Sequence, residues 1–132
     1  MSVEKLANLR PVKVVFNDYL ATFGLTLSDG TELIAGSNVT TQTARLPPRI
    51  TRIDIAFRKN EKHLHSIVFY GKTALHIGIT PEMDAAITRD DQRKGRVETF
   101  ELAENEQLYG CEIHHGLTQT YGITWLKGPR TE

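Results

Sequence analysis

The order of hydrophobic and polar residues along the chain predicts strands rather than helices. Short segments rich in β-branched residues alternate with polar turns, as at residues 12–16 and 50–57. Within the second segment Ile53, Ile55 and Phe57 recur at every second position. This period places them on one face of a strand, and we expect that face to lie in the core.

Further segments continue this pattern to the end of the chain. Residues 19–27 and 31–35 flank Ser28-Asp29-Gly30, which predicts a hairpin because glycine accepts the positive φ of a tight turn. Residues 36–48 are polar and end in two prolines, which indicates a loop or an irregular edge strand. Other strands are predicted at residues 63–70, 74–79, 96–102, 108–114 and 121–126.

About nine to eleven short strands separated by turns, without a long helical period, predict an all-β antiparallel fold. The candidate folds are a prism, a sandwich such as a jelly roll, or a barrel. The 132 residues correspond to one domain spanning residues 1–132. Residues 1–10 are interpreted as a possible N-terminal arm, with one helical turn at residues 3–9 that Pro11 ends.

Residues 81–95 form the longest stretch without a strand pattern. Pro81 can begin a helical turn, since proline is favoured at the first helical position. The rest is charged, and we expect a long mobile loop that is either solvated or contacts a partner. The candidate ligand-binding residues in this loop are Arg89, Asp90, Asp91, Arg93 and Lys94.

The charge balance argues against a nucleic-acid partner. Sixteen basic residues match sixteen acidic ones, whereas proteins that bind nucleic acids usually carry a basic excess. A local basic patch stays compatible with this balance. A net charge of zero also offers little repulsion between copies, so a homo-oligomer is possible.

The sequence predicts a cytoplasmic or nuclear protein without a membrane span. No apolar run approaches the roughly 20 residues that cross a bilayer. The first residues, Met1-Ser2-Val3-Glu4-Lys5, lack the pattern of a signal peptide.

Histidines are the main candidates for metal or catalytic chemistry. His63 and His65 are two apart on a predicted strand, so they share a face and could bind zinc with a third ligand. No metal or cofactor motif supports this, and we expect the five histidines to be surface or partly buried residues, with no cofactor.

Cys111 is the only cysteine, so it cannot form an internal disulfide. With His114 or His115 as a base it could act as a nucleophile. It alternates with Tyr109 and Ile113, however, which indicates a core position, as is common for unpaired cysteine.

Two acidic and two aromatic residues complete the candidates. Glu104 and Glu106 could form an acid–base pair, but their turn indicates solvated side chains. Trp125 is expected in the core. Tyr121 on the same predicted strand is a candidate ligand-binding residue because aromatic rings anchor interfaces and stack on sugars.

The order of elements over residues 50–126 resembles the jacalin-related lectins. A strand pair around a charged turn is followed by a loop, the strand Glu98-Thr99-Phe100-Glu101-Leu102, an acidic turn at Glu104-Asn105-Glu106, and a closing strand through Tyr121 and Trp125. The resemblance implies a β-prism of three four-stranded sheets with approximate threefold pseudo-symmetry.

The chain departs from that family at its sugar site. The family's site draws on an N-terminal glycine and on a Gly-x-x-x-Asp loop near the end, whereas residues 126–132 contain no aspartate and the N-terminal half lacks a Gly-Gly opening. These departures favour a protein-interaction role for the same scaffold.

We therefore expect a non-catalytic module that binds a protein partner or a carbohydrate. Its predicted site combines the charged residues of the 81–95 loop with His115 and Tyr121. Two alternatives are a structural subunit that joins a larger complex through edge strands, and a small enzyme with a histidine-lined site.

Overall fold

The computed structural model describes residues 10–17, 20, 22–36, 41–60, 63–115 and 120–129, so the predicted helical turn at residues 3–9 lies outside it. Within this part the strands are β1 (Pro11–Phe16), β2 (Thr22–Leu27), β3 (Glu32–Gly36), β4 (Gln42–Arg45), β5 (Arg52–Arg58), β6 (Leu64–Tyr70), β7 (Ala74–Gly78), β8 (Lys94–Glu101), β9 (Glu106–His115) and β10 (Thr120–Pro129). Between β7 and β8 lie helix α1 (Pro81–Ala86) and a 3₁₀ turn (Asp90–Gln92).

The strands form three antiparallel sheets. Sheet A has the order β3-β2-β1-β4, sheet B has the order β7-β6-β5-β8, and sheet C is the hairpin β9–β10. In both four-stranded sheets three consecutive strands form a meander and the fourth returns beside the first, which is the Greek-key order. The predicted all-β antiparallel fold is confirmed, and no sheet in the described part of the chain closes into a barrel.

Several element boundaries differ from the sequence pattern. Residues 42–45 form β4, which pairs with β1 and agrees with the edge-strand alternative for the polar segment, but the strand is shorter than that segment. Strand β10 continues to Pro129, which pairs with Glu106, so residues 127–129 are sheet rather than tail. The predicted 81–95 loop contains α1 and the 3₁₀ turn, and its last two residues already belong to β8.

All three sheets contribute to one hydrophobic core. Phe23 of sheet A and Phe69 of sheet B both contact Trp125 of sheet C edge to face, with ring centroids 6.1 and 5.7 Å apart. Trp125 is therefore a core residue, as predicted, and only 8% exposed. The predicted core face of β5, formed by Ile53, Ile55 and Phe57, is also buried.

A bulge in β6 changes which residues face the core. Ala56 pairs with Ser66 and Phe57 with Leu64, so His65 is an extra residue without a partner on β5. Leu64 and Ile67 consequently both join the core cluster. Strict alternation over the predicted strand 63–70 would place Leu64 and Ile67 on opposite faces, and this expectation is wrong because a bulge inserts one residue into the two-residue period.

Helix α1 begins at a well-formed cap. The Thr80 hydroxyl accepts a hydrogen bond from the Met83 backbone N–H at 3.2 Å, and Pro81 occupies the first helical position, as predicted. The helix has six residues, and no helix in the described part of the chain is long and apolar enough to cross a membrane.

Removing the ring at Trp125 should destabilise the whole domain. We expect Trp125→Ala to lower the free energy of unfolding by about 3–5 kcal/mol, since all three sheets lose a contact. Leu126→Ala, at a neighbouring side chain that is 51% exposed, should cost less than about 1 kcal/mol. Urea unfolding followed by circular dichroism measures both, and equal losses would contradict the proposed role of Trp125.

Candidate functional site

The connection between β7 and β8 forms a hydrogen-bonded segment, which we call the cap segment (residues 81–93). The N–H groups of Lys59 and Asn60, in the turn after β5, donate to the carbonyls of Arg93 and Asp91 at 2.9 and 3.0 Å. The Arg93 guanidinium donates two hydrogen bonds to the Ile87 carbonyl, at 3.0 and 2.8 Å. The segment is thus fastened to sheet B and folded on itself.

A buried histidine joins α1 to sheet B. His65 is 3% exposed, and its Nε2 lies 2.9 Å from Asp84 Oδ1 on α1. Its Nδ1 lies 3.0 Å from the Ser66 hydroxyl. The same Asp84 oxygen accepts a hydrogen bond from the Lys94 backbone N–H at 3.0 Å. The β6 bulge at His65 makes this contact possible, since bulges redirect side chains.

The contacts of His65 define its charge state. Burial lowers the pKa of His65 below its usual value, with more effect than the neighbouring Asp84 carboxylate, which raises it. Burial alone would raise the pKa of Asp84, but the hydrogen bonds from Lys94 and His65 together lower it. A neutral imidazole that donates from Nε2 to the carboxylate and accepts at Nδ1 from the Ser66 hydroxyl satisfies all three groups.

This Ser–His–Asp contact differs from a hydrolase triad in its geometry. In a triad the carboxylate faces Nδ1 of the histidine and the nucleophile faces Nε2. Here Asp84 faces Nε2 and Ser66 faces Nδ1. Ser66 is also only 4% exposed. The arrangement is suited to fastening α1 to the sheet and not to attack on a substrate.

Two pockets lie beside α1. The smaller one holds about 220 Å³ and is lined by His65, Ser66, His76, Ile79, Pro81, Asp84 and Lys94. Burial and the Lys94 charge lower the pKa of His76. The pocket therefore presents two neutral imidazoles beside one carboxylate and one ammonium group.

The larger pocket is mainly apolar. It holds about 440 Å³ and is lined by Arg58, Ile79, Met83, Ala86, Ile87, Thr88, Arg89 and Gln92. The Arg58 guanidinium forms part of its wall, since Nε donates to the Leu64 carbonyl at 3.2 Å and Nη1 contacts Gln92 Oε1. Arg58 is 7% exposed and so joins β5, β6 and the cap segment.

The predicted binding residues of the cap segment take different positions. Arg89 lines the apolar pocket and pairs with Asp91 at 3.2 Å, and Lys94 lines the smaller pocket. Asp90 pairs with Lys59 at 3.0 Å, away from both pocket linings. Arg93 has its guanidinium engaged by a backbone carbonyl within the segment. Their binding role stays a prediction.

The remaining predicted site residues are on another sheet. His115 ends β9 and Tyr121 lies in β10, and their side chains are outside the described part of the structure. The structure therefore places these two on sheet C and the charged residues on the cap segment beside sheet B.

Other candidates for chemistry are held in structural contacts. Burial raises the pKa of the Cys111 thiol to about 12, and this residue packs against the core as expected. Glu106, predicted to be solvated, accepts a hydrogen bond from the Ala103 N–H at 2.8 Å and pairs with Lys127 at 3.0 Å. Both contacts lower the pKa of Glu106. Among the described residues, no three His, Cys, Asp or Glu side chains converge to hold a metal ion.

The sequence interpretation missed several residues that build the two pockets: Arg58, Ser66, Met83, Asp84 and Gln92. The cap signature at Thr80-Pro81 places Met83 and Asp84 in the first turn of a helix. No local pattern could indicate the pairing of Arg58 with Gln92, because 34 positions separate them.

Comparison with known proteins adds no identification. No family model matches the chain. No curated protein matches it either.

The lowered pKa of His65 predicts weaker folding in mild acid. The folded protein keeps His65 neutral below its usual pKa of 6.5, whereas the unfolded chain binds a proton there. This contribution is complete above about pH 6.5 and decreases below it, by at most about 1.4 kcal/mol per pH unit. Urea unfolding between about pH 7.5 and 5.5 measures the slope.

His65→Gln is the matched variant, since it removes this proton uptake and leaves the other histidines. We expect its free energy of unfolding to change less over the same pH interval than that of the wild-type protein. Equal slopes for the two proteins would show that His65 does not contribute.

Proposed function

We propose that this protein is a non-catalytic binding module that holds a protein partner at its cap segment. One observation carries the proposal: the apolar pocket of about 440 Å³ beside α1, bordered by arginine. Concave, mostly apolar pockets with a few polar groups are the usual places where a ligand side chain anchors.

The lining indicates the chemistry of the bound group. Ile79, Met83 and Ile87 supply apolar surface, and methionine adapts its shape to different guests. Arg89 at the rim is paired with Asp91 on an exposed surface, where an ion pair is weak and can exchange partners. An aliphatic or aromatic side chain next to a carboxylate on the partner fits both features.

Two candidate catalytic groups, His65 and Cys111, are held in the fold. His65 has both ring nitrogens engaged in a buried contact, and the thiol of Cys111 stays protonated at neutral pH because its pKa is about 12. Catalytic groups need a proton-transfer or nucleophilic atom within reach of a substrate, and these two groups lack that access.

We also propose that the scaffold is a three-sheet β-prism of the jacalin-related type. The two four-stranded sheets repeat the same Greek-key order, and the hairpin β9–β10 would start a third unit. Phe23, Phe69 and Trp125 belong to the second strand of each unit and meet in the core. Such repetition is what pseudo-threefold symmetry requires.

A pair of substitutions on α1 tests the binding proposal. Ala86→Arg places a long charged side chain at the lining of the apolar pocket, whereas Ala85→Arg makes the same change at a neighbouring position that lines neither pocket. Both alanines are exposed, and arginine is almost as good a helix former as alanine, so both variants should fold. We expect Ala86→Arg to weaken capture of a stoichiometric partner from native lysate by about tenfold or more.

The proposal is supported only when the Ala85→Arg protein retains the partner under the same conditions. Equal capture by the two variants would place the interface elsewhere on the domain. Release of the bound material by free mono- or oligosaccharides would identify a carbohydrate-mediated contact and contradict the protein-partner proposal.

A further inference from the structure

Strand β8 forms the longest open edge of the two four-stranded sheets. Sheet A ends at β3 and β4, which have five and four residues, and sheet B ends at β7 and β8, which have five and eight. Within the described ranges β8 pairs with β5 on one side and with no strand on the other. An edge strand presents backbone N–H and C=O groups to which a further strand can be added.

Both faces of β8 are exposed along the middle of the strand. Val97 pairs with Ala56 and is 44% exposed. Glu98 pairs with Ile55 and lies on the opposite face, where the side chains of Arg96 and Glu98 are 44% and 59% exposed. The strand therefore projects beyond the core that covers the rest of sheet B, and a neighbouring strand has room beside it.

The charges of β8 are divided between its two halves. Lys94 and Arg96 lie in the first half, and Glu98 and Glu101 lie in the second. When two copies of the strand run antiparallel, the basic half of each lies beside the acidic half of the other. A chain with a net charge of zero adds little overall repulsion. The strand is thus complementary to a second copy of itself.

Symmetry and pleating restrict the register of such a pair. In a twofold dimer, each contact between two positions occurs twice, and directly opposite residues share a face, so every such pair is centred on one residue. Centring on Arg96 or on Glu98 places like charges opposite each other, which is unfavourable. Centring on Val97 places Arg96 opposite Glu98 of the second copy, on both sides of the two valines. Centring on Thr99 brings no opposite charges together.

The Arg96 and Glu98 side chains already lie on one face in the single chain. Arg96 Nη1 contacts Glu98 Oε1, and the Arg96 guanidinium lies 4.3 Å from the centroid of the Phe57 ring. A second copy would bring its own pair alongside, so that each carboxylate lies between two guanidinium groups and the existing contacts remain. Such a network contributes more than an isolated surface ion pair.

We infer that two copies of this chain join through β8 in an antiparallel pair centred on Val97, which makes their two B sheets one continuous sheet. A register shift beside Gly95 shortens the regular part of β8, so the interface is small. Residues 96–100 line neither pocket beside α1, and the dimer is therefore independent of the proposed partner site.

Sedimentation velocity of the full chain tests the association itself. We expect monomers to convert to dimers with a dissociation constant of about 10–100 µM, as is usual for a small interface. Added salt should weaken the dimer, because it screens exposed charge pairs. A protein that stays monomeric up to about 500 µM, or one that forms open-ended assemblies, would overturn the inference.

Two charge reversals test the register. Glu98→Arg leaves only basic side chains opposite one another, and Arg96→Glu leaves only acidic ones, so each variant alone should dimerise about tenfold or more weakly. Mixed in equal amounts, the two variants should form a heterodimer, because every arginine then faces a glutamate. Glu32→Arg makes the same change at an exposed residue of the edge strand β3 and should leave dimerisation unchanged.

Cysteine cross-linking locates the twofold axis. Val97→Cys places two thiols directly opposite each other, at a Cα separation of about 4.5–5.5 Å that suits a disulfide. Thr99→Cys, on the same face, places its two thiols about 13 Å apart and should not cross-link. Cys111 should contribute little to either variant, since it packs against the core and burial raises its pKa to about 12.

Other results would overturn the inference. Equal self-association of the wild-type protein and Glu98→Arg would exclude the charge contact, as would failure of the two reversed variants to associate when mixed. Cross-linking of Thr99→Cys as readily as Val97→Cys would exclude a pair centred on Val97. The cross-linking test changes neither Arg96 nor Glu98, so it decides the question even where a charge reversal prevents folding.

Discussion

The edge-to-face contact of Trp125 with Phe23 and Phe69 is the interaction on which the rest of the fold depends. Each ring comes from a different sheet, so one side chain closes a core shared by all three. Sheet C has two strands among the described residues, and an isolated hairpin is marginally stable in water. Sheet C therefore gains its stability by packing on the two larger sheets. The Trp125 contact joins the three sheets, and the pockets lie on the scaffold that they form.

The two-residue period was sufficient to predict most strands and much of the core. Ile53, Ile55 and Phe57 are buried as expected, since hydrophobic burial determines which face of a strand turns inward. The same period failed at His65, because a bulge adds one residue without any change in local composition. The position of Leu64 could not follow from alternation alone, and it depends on pairing with Phe57 across the sheet.

The candidate sites were harder to predict than the fold. The charged run at residues 89–94 indicated the cap segment, but Asp84 and Arg58 acquire their importance from contacts with residues 19 and 34 positions away. The two pockets beside α1 join residues from β5, β6, β7, the cap segment and the start of β8. These residues are distant from one another in the sequence. The pairing order of the strands determines that they lie close together in space.

The position of Trp125 in β10 has a consequence for biosynthesis. Chain emerging from the ribosome can pair β1–β4 and then β5–β8, since each Greek key uses consecutive strands. Phe23 and Phe69, however, keep one apolar side uncovered until β10 has emerged. Nascent chains thus carry two nearly complete sheets that expose a shared apolar surface. A chaperone would bind at this surface. Premature termination would leave it exposed and the product aggregation-prone.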